Sequence, residues 1–199
     1  DTILYGGSPI PVPVLMEARR KLPRCRFRQT FASTETGTAG TVLEPADHDL
    51  ALNDPAYAHR LLSCGKPQVA VEVAVFDEQG QPLPAGTVGE IGVRTEANIA
   101  GFWSNPEATA ENIRDGWVFT GDMARIDEDG YVYVVDRKKD VINSGGIVVS
   151  SREVEEALFL HPAVREVAVV PVPDPKRVEV GIAVVVLEDG ATVDEATLI

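Results

Sequence analysis

The stretch from Lys66 to Asp136 constrains this chain most, because apolar residues recur there at strand spacing and turn residues recur at short intervals. Val69 to Phe76 alternates, with valines at every second position from Val69 to Val75. Asp77-Glu78-Gln79-Gly80 is a hairpin-type turn, and Gly89 to Thr95 is the next strand. Trp117 to Thr120, Ala124 to Ile126 and Tyr131 to Asp136 follow as strands, the last two joined by the turn Asp127-Glu128-Asp129-Gly130. The spacing predicts a β-rich unit broken by one short helix over Glu107 to Ile113, which Asn105 caps and Pro106 opens.

The flanking stretches mix the two periods. Before Lys66, Leu4-Tyr5 ends a strand, and Gly6-Gly7 with Pro9, Pro11 and Pro13 marks a turn and a helix entry. A helix over Val14 to Leu22, a strand over Cys25 to Phe31 and a polar loop over Thr34 to Thr38 follow. Near the other end, Ser150-x-x-Glu153 is a capping box for a helix that His161-Pro162 terminates, and strands are expected over Val164 to Val170 and Gly181 to Leu187. The fold class is therefore α+β, with the end of an α/β subdomain at 1–64, a β-rich subdomain at 65–137 and a partial small α+β domain at 138–199.

Charge narrows the partners. With 31 acidic against 18 basic residues and a net charge of -13, the chain suits nucleic acid poorly, since a phosphate backbone wants clustered Lys and Arg. ATP stays open, because a nucleotide site needs only local amides, a few cations and Mg²⁺. No apolar run approaches the ~20 residues of a membrane span. Cys25 and Cys64 lack zinc-site spacing, which fits a reduced, cytoplasmic setting. The chain opens at Asp1 without a signal peptide's basic and apolar regions, and closes on what reads as the first turn of a helix, so a fragment of a longer protein is expected.

Four polar, glycine-bearing stretches are candidates for chemistry, each with a plainer reading beside it. Thr30-Phe31-Ala32-Ser33-Thr34-Glu35-Thr36-Gly37 offers hydroxyls and one acid for phosphate oxygens and Mg²⁺, or is an ordinary Ser/Thr turn. Phe119-Thr120-Gly121-Asp122 sets an acid just after a strand, suited to a pair of ribose hydroxyls, or is a simple turn. Asp136-Arg137-Lys138-Lys139-Asp140 is a ligand-facing charge cluster or a solvated linker. Asn143-Ser144-Gly145-Gly146 lets backbone approach a ligand or turns a corner.

In order, these four stretches resemble the adenylate-forming superfamily, and within it the acyl-CoA synthetases (fatty-acid–CoA ligases). The same pattern includes Gly6-Gly7-Ser8-Pro9, Gly89-Glu90-Ile91, Gly101-Phe102-Trp103, Trp117 to Asp122, Gly130-Tyr131 and Arg152-Glu153-Val154-Glu155. The resemblance implies activation of a carboxylic acid with Mg·ATP to an acyl-adenylate, then acyl transfer to the thiol of CoA. It assigns Thr34 to the α-phosphate and Glu35 to Mg²⁺, and sets Gly7, Ser8 and Pro9 beside the adenine, with Phe31 as the stacking aromatic and Ser33 in the same loop. Asp122 would hold the ribose hydroxyls and Arg137 would reach ribose and phosphate as a fork of donors. Lys139 matches the hinge on which a C-terminal lid domain, here 138–199, swings between two poses. Gly145 and Gly146 would then border the pantetheine tunnel, their missing side chains letting the thiol pass. Trp117, Phe102 and Trp103 read as core or wall residues.

Several positions depart from the family pattern. Ala32 stands for the usual glycine beside the acyl pocket, Asn143 stands where some members carry lysine, and Arg177-Val178 replaces the Trp-Gly pair often found before the acid at Glu179. The upstream phosphate loop and the late lysine of the family are not among these 199 residues, so the chain by itself is expected to adenylate poorly or not at all. Medium- or long-chain fatty acids are the first expectation for the substrate and aryl acids the second. Two other readings stay open: a ligase that loads a carrier-protein thiol, and a non-catalytic nucleotide-binding module.

Overall fold

In the computed structural model, which describes residues 1–7 and 10–198, the chain forms two compact units, Asp1–Val134 and Val135–Ile199. The first unit opens with β1 (Thr2–Gly6), α1 (Val12–Lys21), β2 (Arg26–Ala32) and β3 (Gly40–Leu43). There follow α2 (Pro45–Asn53), a 3₁₀ helix (Pro55–Leu62) and β4 (Lys66–Pro67). The sheet order is β1-β2-β3-β4, with β1 and β2 parallel and the remaining pairs antiparallel. Parallel strands need a crossover, and α1 supplies it by burying Leu15 against Phe27, Ala51 and Leu61.

The β-rich part comprises β5 (Glu72–Phe76), β6 (Gly89–Arg94), α3 (Pro106–Asn112), β7 (Ile113–Arg114), β8 (Trp117–Ile126) and β9 (Val132–Arg137). Its strands run in the order β5-β6-β8-β7, and β9 pairs with β8. Val75, Ile91, Val93, Ala124 and Val132 form its buried cluster. As expected, α3 is capped by the Asn105 side chain, which accepts the Ala108 N–H at 3.0 Å. Tyr131 joins this sheet to α2 by donating its hydroxyl to Asp47 Oδ1 at 2.6 Å. Burial, and then that hydrogen bond, push the Tyr131 hydroxyl up to about 12.

The second unit continues with β10 (Ile142–Ser144), β11 (Ile147–Val149), α4 (Ser151–Phe159), β12 (Val164–Asp174), β13 (Val178–Leu187) and α5 (Glu195–Leu198). Its sheet has the order β11-β10-β13-β12. Ser150 caps α4 by accepting the Glu153 N–H at 3.2 Å, as its sequence predicts. Glu155 ties that helix to β12 by accepting the Val169 N–H at 2.8 Å.

Two differences from the sequence reading matter for the site. Trp117–Thr120 and Ala124–Ile126 are one strand, β8, and Gly121-Asp122 lies inside it. Trp103 is 96% exposed and belongs to no core, whereas Trp117 packs edge-on to Phe76 at 5.1 Å as a core residue should.

Candidate functional site

The parallel pairing of β1 with β2 brings Gly6 opposite Thr30, so the end of β1 leads to Gly7 alongside the end of β2, which carries Phe31 and Ala32. Only glycine fits at Gly6: a Cβ there would lie 2.3 Å from the Thr30 carbonyl oxygen. Gly7 is exposed and left-handed at φ +83°. Ser8 and Pro9, placed beside the adenine by the resemblance, lie outside the described residues. Phe31 is half-buried and packs against the Val75–Ile91–Ala124 cluster, which spends part of its ring on the core.

Residues 33–39 form the loop of the β2–β3 hairpin, and Thr36 is its internal brace. Fully buried, Thr36 Oγ1 accepts the Ser33 N–H at 3.2 Å and lies 2.5 Å from the Ala39 carbonyl oxygen, which takes its proton. Gly37 N–H donates to Thr34 O at 3.1 Å and Thr38 N–H to Ser33 O at 3.2 Å. With its interior occupied by Thr36, the loop turns Thr34 to solvent and leaves Glu35 half-exposed. Glu35 is fixed through its backbone, because its carbonyl oxygen accepts the Ile99 N–H at 2.9 Å.

One atom in this loop lacks what burial demands. Ser33 Oγ is buried and, among the described residues, has no hydrogen-bond partner. A buried hydroxyl normally has a partner, so the orphan marks a place where a ligand oxygen would repay its desolvation. Mg²⁺ is usually held by one or two carboxylates plus substrate phosphates and water. Among the described residues no cluster of three or more His, Cys, Asp or Glu side chains gathers, so an ion here would rely on Glu35 with oxygens of the nucleotide. That donor set fits Mg²⁺ and suits no soft metal.

Asp122 owes its position to a bulge. In the β6–β8 ladder Gly92 pairs with Phe119 and Glu90 with Met123, so Thr120, Gly121 and Asp122 together oppose Ile91. Gly121 takes φ +72° and Thr120 Oγ1 accepts the Asp122 N–H at 3.2 Å. Bulges redirect a side chain from the pleat, and this one sets a largely buried carboxylate beside a glycine with open space above it. Because Phe31 packs against the cluster that contains Ile91, the end of β2 and this bulge share one stretch of core.

The second unit carries the remaining candidates. Arg137, the last residue of β9, and Lys139, on the turn after it, are both exposed, and Arg137 O accepts the N–H groups of Asp140 and Val141 at 2.9 and 3.0 Å. Gly145 and Gly146, at φ +64° and +89°, are the two-residue turn of the β10–β11 hairpin. Their approach to a ligand and their turning of a corner are therefore compatible, since no atom beyond the adjoining chain lies within 4 Å of where either Cβ would stand.

Thr36 and Asp136 lie in candidate stretches of the sequence, but sequence reasoning gave neither a role of its own. Asp136 Oδ2 accepts Ser151 Oγ–H at 2.8 Å, Ser150 Oγ–H at 3.0 Å and the Arg152 N–H at 3.3 Å, while Oδ1 accepts the Arg137 N–H at 2.8 Å. Burial pulls its pKa upward, but the hydrogen bonds from Ser151, Arg137, Arg152 and Ser150 outweigh burial and hold the carboxyl below its ordinary value. A depressed carboxyl contributes stability above its unfolded pKa and loses it as pH falls through the folded one. Asp136→Asn is thus expected to cost about 1 kcal/mol at pH 7, a figure discounted for the part-exposed site. The gap from wild type should close below about pH 4, the ordinary carboxyl range. Melting temperatures of both chains from pH 3 to 7 test this, and a gap that does not change with pH would refute it.

A family model described as AMP-binding enzyme matches residues 1–103, and a second, AMP-binding enzyme C-terminal domain, matches residues 153–199. The medium/long-chain-fatty-acid–CoA ligase FadD8 of Mycobacterium tuberculosis is 42% identical over 198 residues, covering 100% of this chain and 33% of the ligase. The fatty acid–[acyl-carrier-protein] ligase ScoC of Streptomyces coeruleorubidus is 40% identical, with 94% of this chain and 35% of that protein covered. Among solved structures, o-succinylbenzoate CoA synthetase of Bacillus subtilis with its acyl-adenylate intermediate aligns at a TM-score of 0.82 and 32% identity, covering 99% of this chain and 38% of the other. The chain spans about a third of the length of the curated relatives it matches.

Proposed function

The chain belongs to the AMP-binding enzyme family, and from that membership we propose that it is part of an acyl-CoA synthetase that activates a medium- or long-chain fatty acid. In the first step a carboxylate oxygen attacks the α-phosphorus of ATP, the bond to the bridging oxygen breaks, and pyrophosphate leaves. In the second the thiol sulfur of CoA attacks the acyl carbon, the carbon–oxygen bond to phosphate breaks, AMP leaves, and the thiol proton passes to solvent. Both steps ask for positioning and charge neutralisation more than for covalent help.

The observation that carries the reading is the braced β2–β3 loop, which exposes Thr34 and leaves Glu35 half-exposed, two residues from the chain position of the orphaned Ser33 hydroxyl. Thr34 and Ser33 donate to phosphate oxygens, and Glu35 holds Mg²⁺, whose charge offsets that of the phosphates. By the family resemblance Gly7, Ser8 and Pro9 are assigned to the adenine, Phe31 to stacking on it and Ala32 to the side of the acyl pocket. Asp122 accepts from the ribose hydroxyls. Arg137 donates to ribose and phosphate, Lys139 is the hinge, and Gly145-Gly146 borders the thiol's path.

A second acceptor is supported by one finding: a relative of nearly equal identity is named as a ligase for an acyl-carrier protein. Offering a full-length enzyme CoA and an acyl-carrier protein separates the two. The primary test is carboxylate-dependent ATP–pyrophosphate exchange over a panel of acids, with a full-length protein containing this chain and the 199-residue chain as control. Exchange by the full-length protein with medium or long fatty acids, and none by the chain alone, is expected. Absence of exchange with every acid would sink the synthetase reading.

A further inference from the structure

The turn between β12 and β13 does more than reverse the chain. Asp174 Oδ1 closes it by accepting the N–H groups of Lys176 and Arg177, each at 2.8 Å. Arg177, Val178 and Glu179 then grip the β10–β11 hairpin in succession. Arg177 O accepts the Gly145 N–H at 2.6 Å, Val178 pairs with Ser144, and Glu179 Oε2 accepts the Asn143 N–H at 2.8 Å. Asn143 passes that restraint to the glycines, because its own Oδ1 accepts the Gly146 N–H at 3.0 Å. A lysine at this position, as in some family members, has no acceptor to do this.

Val178 shows how firmly the grip is set. A β-branched residue at φ +72° is a genuine outlier, and it stands where the family pattern has the glycine of its Trp-Gly pair. Such a conformation persists only when its surroundings over-determine it, and the bonds from Arg177 and Glu179 on either side do so.

We propose that Glu179 is a positioning residue for acyl transfer to the thiol. It fixes Asn143, and through Asn143 the Gly145-Gly146 turn, so that bare backbone stays where the thiol passes. This rests on the assignment of that turn to the thiol's path in the proposed function. Glu179 touches neither substrate nor reacting atoms and exchanges no proton. What it supplies is one acceptor oxygen at a set place, so glutamine can replace it and alanine cannot.

The experiment compares wild type, Glu179→Ala and Glu179→Gln in a full-length protein containing this chain. Three quantities are read: hydrogen–deuterium exchange over residues 140–149, acid-dependent ATP–pyrophosphate exchange, and single-turnover acyl transfer from preformed acyl-adenylate to CoA. Glu179→Ala is expected to speed hairpin exchange, to slow transfer about tenfold with a raised KM for CoA, and to leave adenylation within about twofold. Glu179→Gln should match wild type in all three. Unchanged hairpin protection in Glu179→Ala overturns the tether whatever the enzyme does. Faster hairpin exchange with unchanged transfer overturns the positioning role, as does an equal fall in adenylation or an equal loss in Glu179→Gln. A wild-type protein that exchanges pyrophosphate with no acid overturns the underlying synthetase reading instead, and the hairpin protection still decides the tether.

Discussion

Replacing Glu35 with alanine in a full-length protein containing this chain is expected to lower carboxylate-dependent ATP–pyrophosphate exchange by about 10²–10³-fold. The melting temperature should move by no more than about 2 °C, as for other changes outside the core. The two expectations follow from one arrangement. Glu35 is held by its backbone oxygen, which the substitution keeps, while its carboxylate has no ion pair or side-chain hydrogen bond among the described residues. The fold therefore loses little. The site loses its metal-binding carboxylate, with no acidic cluster among the described residues to replace it. Excess Mg²⁺ should recover part of the rate in Glu35→Gln, which keeps a neutral oxygen donor. Exchange within about threefold of wild type would remove Glu35 from the metal site, because a lost transition-state contact costs far more than that.

The parts of this site that were legible in the sequence are those that announce themselves by composition. Thr34 and Glu35 sit in a run of hydroxyls after a strand, and Asp122 follows a glycine after another. Residues that act through tertiary geometry gave no such signal. Thr36 looks like one more hydroxyl of its run, yet it is the one turned inward to brace the loop, and only the hairpin pairing of Phe31 with Thr41 and Ala32 with Gly40 creates the space it fills. Glu179 and Asp136 likewise matter through partners 36 and 15 residues away, Asn143 and Ser151.

The same division runs through the fold. Helix α3 and the start of α4 were readable because Asn105 and Ser150 cap them locally. Strand β8 was not readable as one piece, since Gly121-Asp122 has the residue types of a turn and becomes a bulge only because β6 pairs on both sides of it. Strand β12 runs on to Asp174 through Pro171 and Pro173, which local rules read as stops. It lies at the sheet edge, where a proline's missing N–H faces no partner strand. In the opposite sense, Val69 continues the alternation of β5 in the sequence but is 99% exposed, because Ala70 at φ +61° turns the chain before the strand begins.

Gly37→Ala tests the fold and the site in a single substitution. At φ +61° an alanine pays the left-handed penalty of about 1–2 kcal/mol. Its Cβ would also lie 2.5 Å from the Ala97 carbonyl oxygen and 3.0 Å from the Ala97 Cβ, so the loop or the facing 95–99 segment must move. Overpacking of that kind adds about 1–3 kcal/mol. The sum, about 2–5 kcal/mol, should lower the melting temperature of the chain by roughly 5–15 °C. Gly80→Ala is the matched control: φ is +76°, but the nearest outside atom is the mobile Arg114 Nη1 at 3.9 Å, so the backbone term stands alone. A control loss of about 1–2 kcal/mol, well below that of Gly37→Ala, isolates the clash. The functional consequence is separate and follows from the Ile99 N–H bond to Glu35 O, which couples the segment Gly37 would push to the residue proposed to hold Mg²⁺. In a full-length protein kept well below its melting temperature, Gly37→Ala should therefore slow pyrophosphate exchange by about 10²-fold, as a shift of about 1 Å in a positioned group does. Gly80→Ala should leave the rate unchanged. Equal rates in the two variants would show that the loop bearing Thr34 and Glu35 does not need the position that Gly37 gives it.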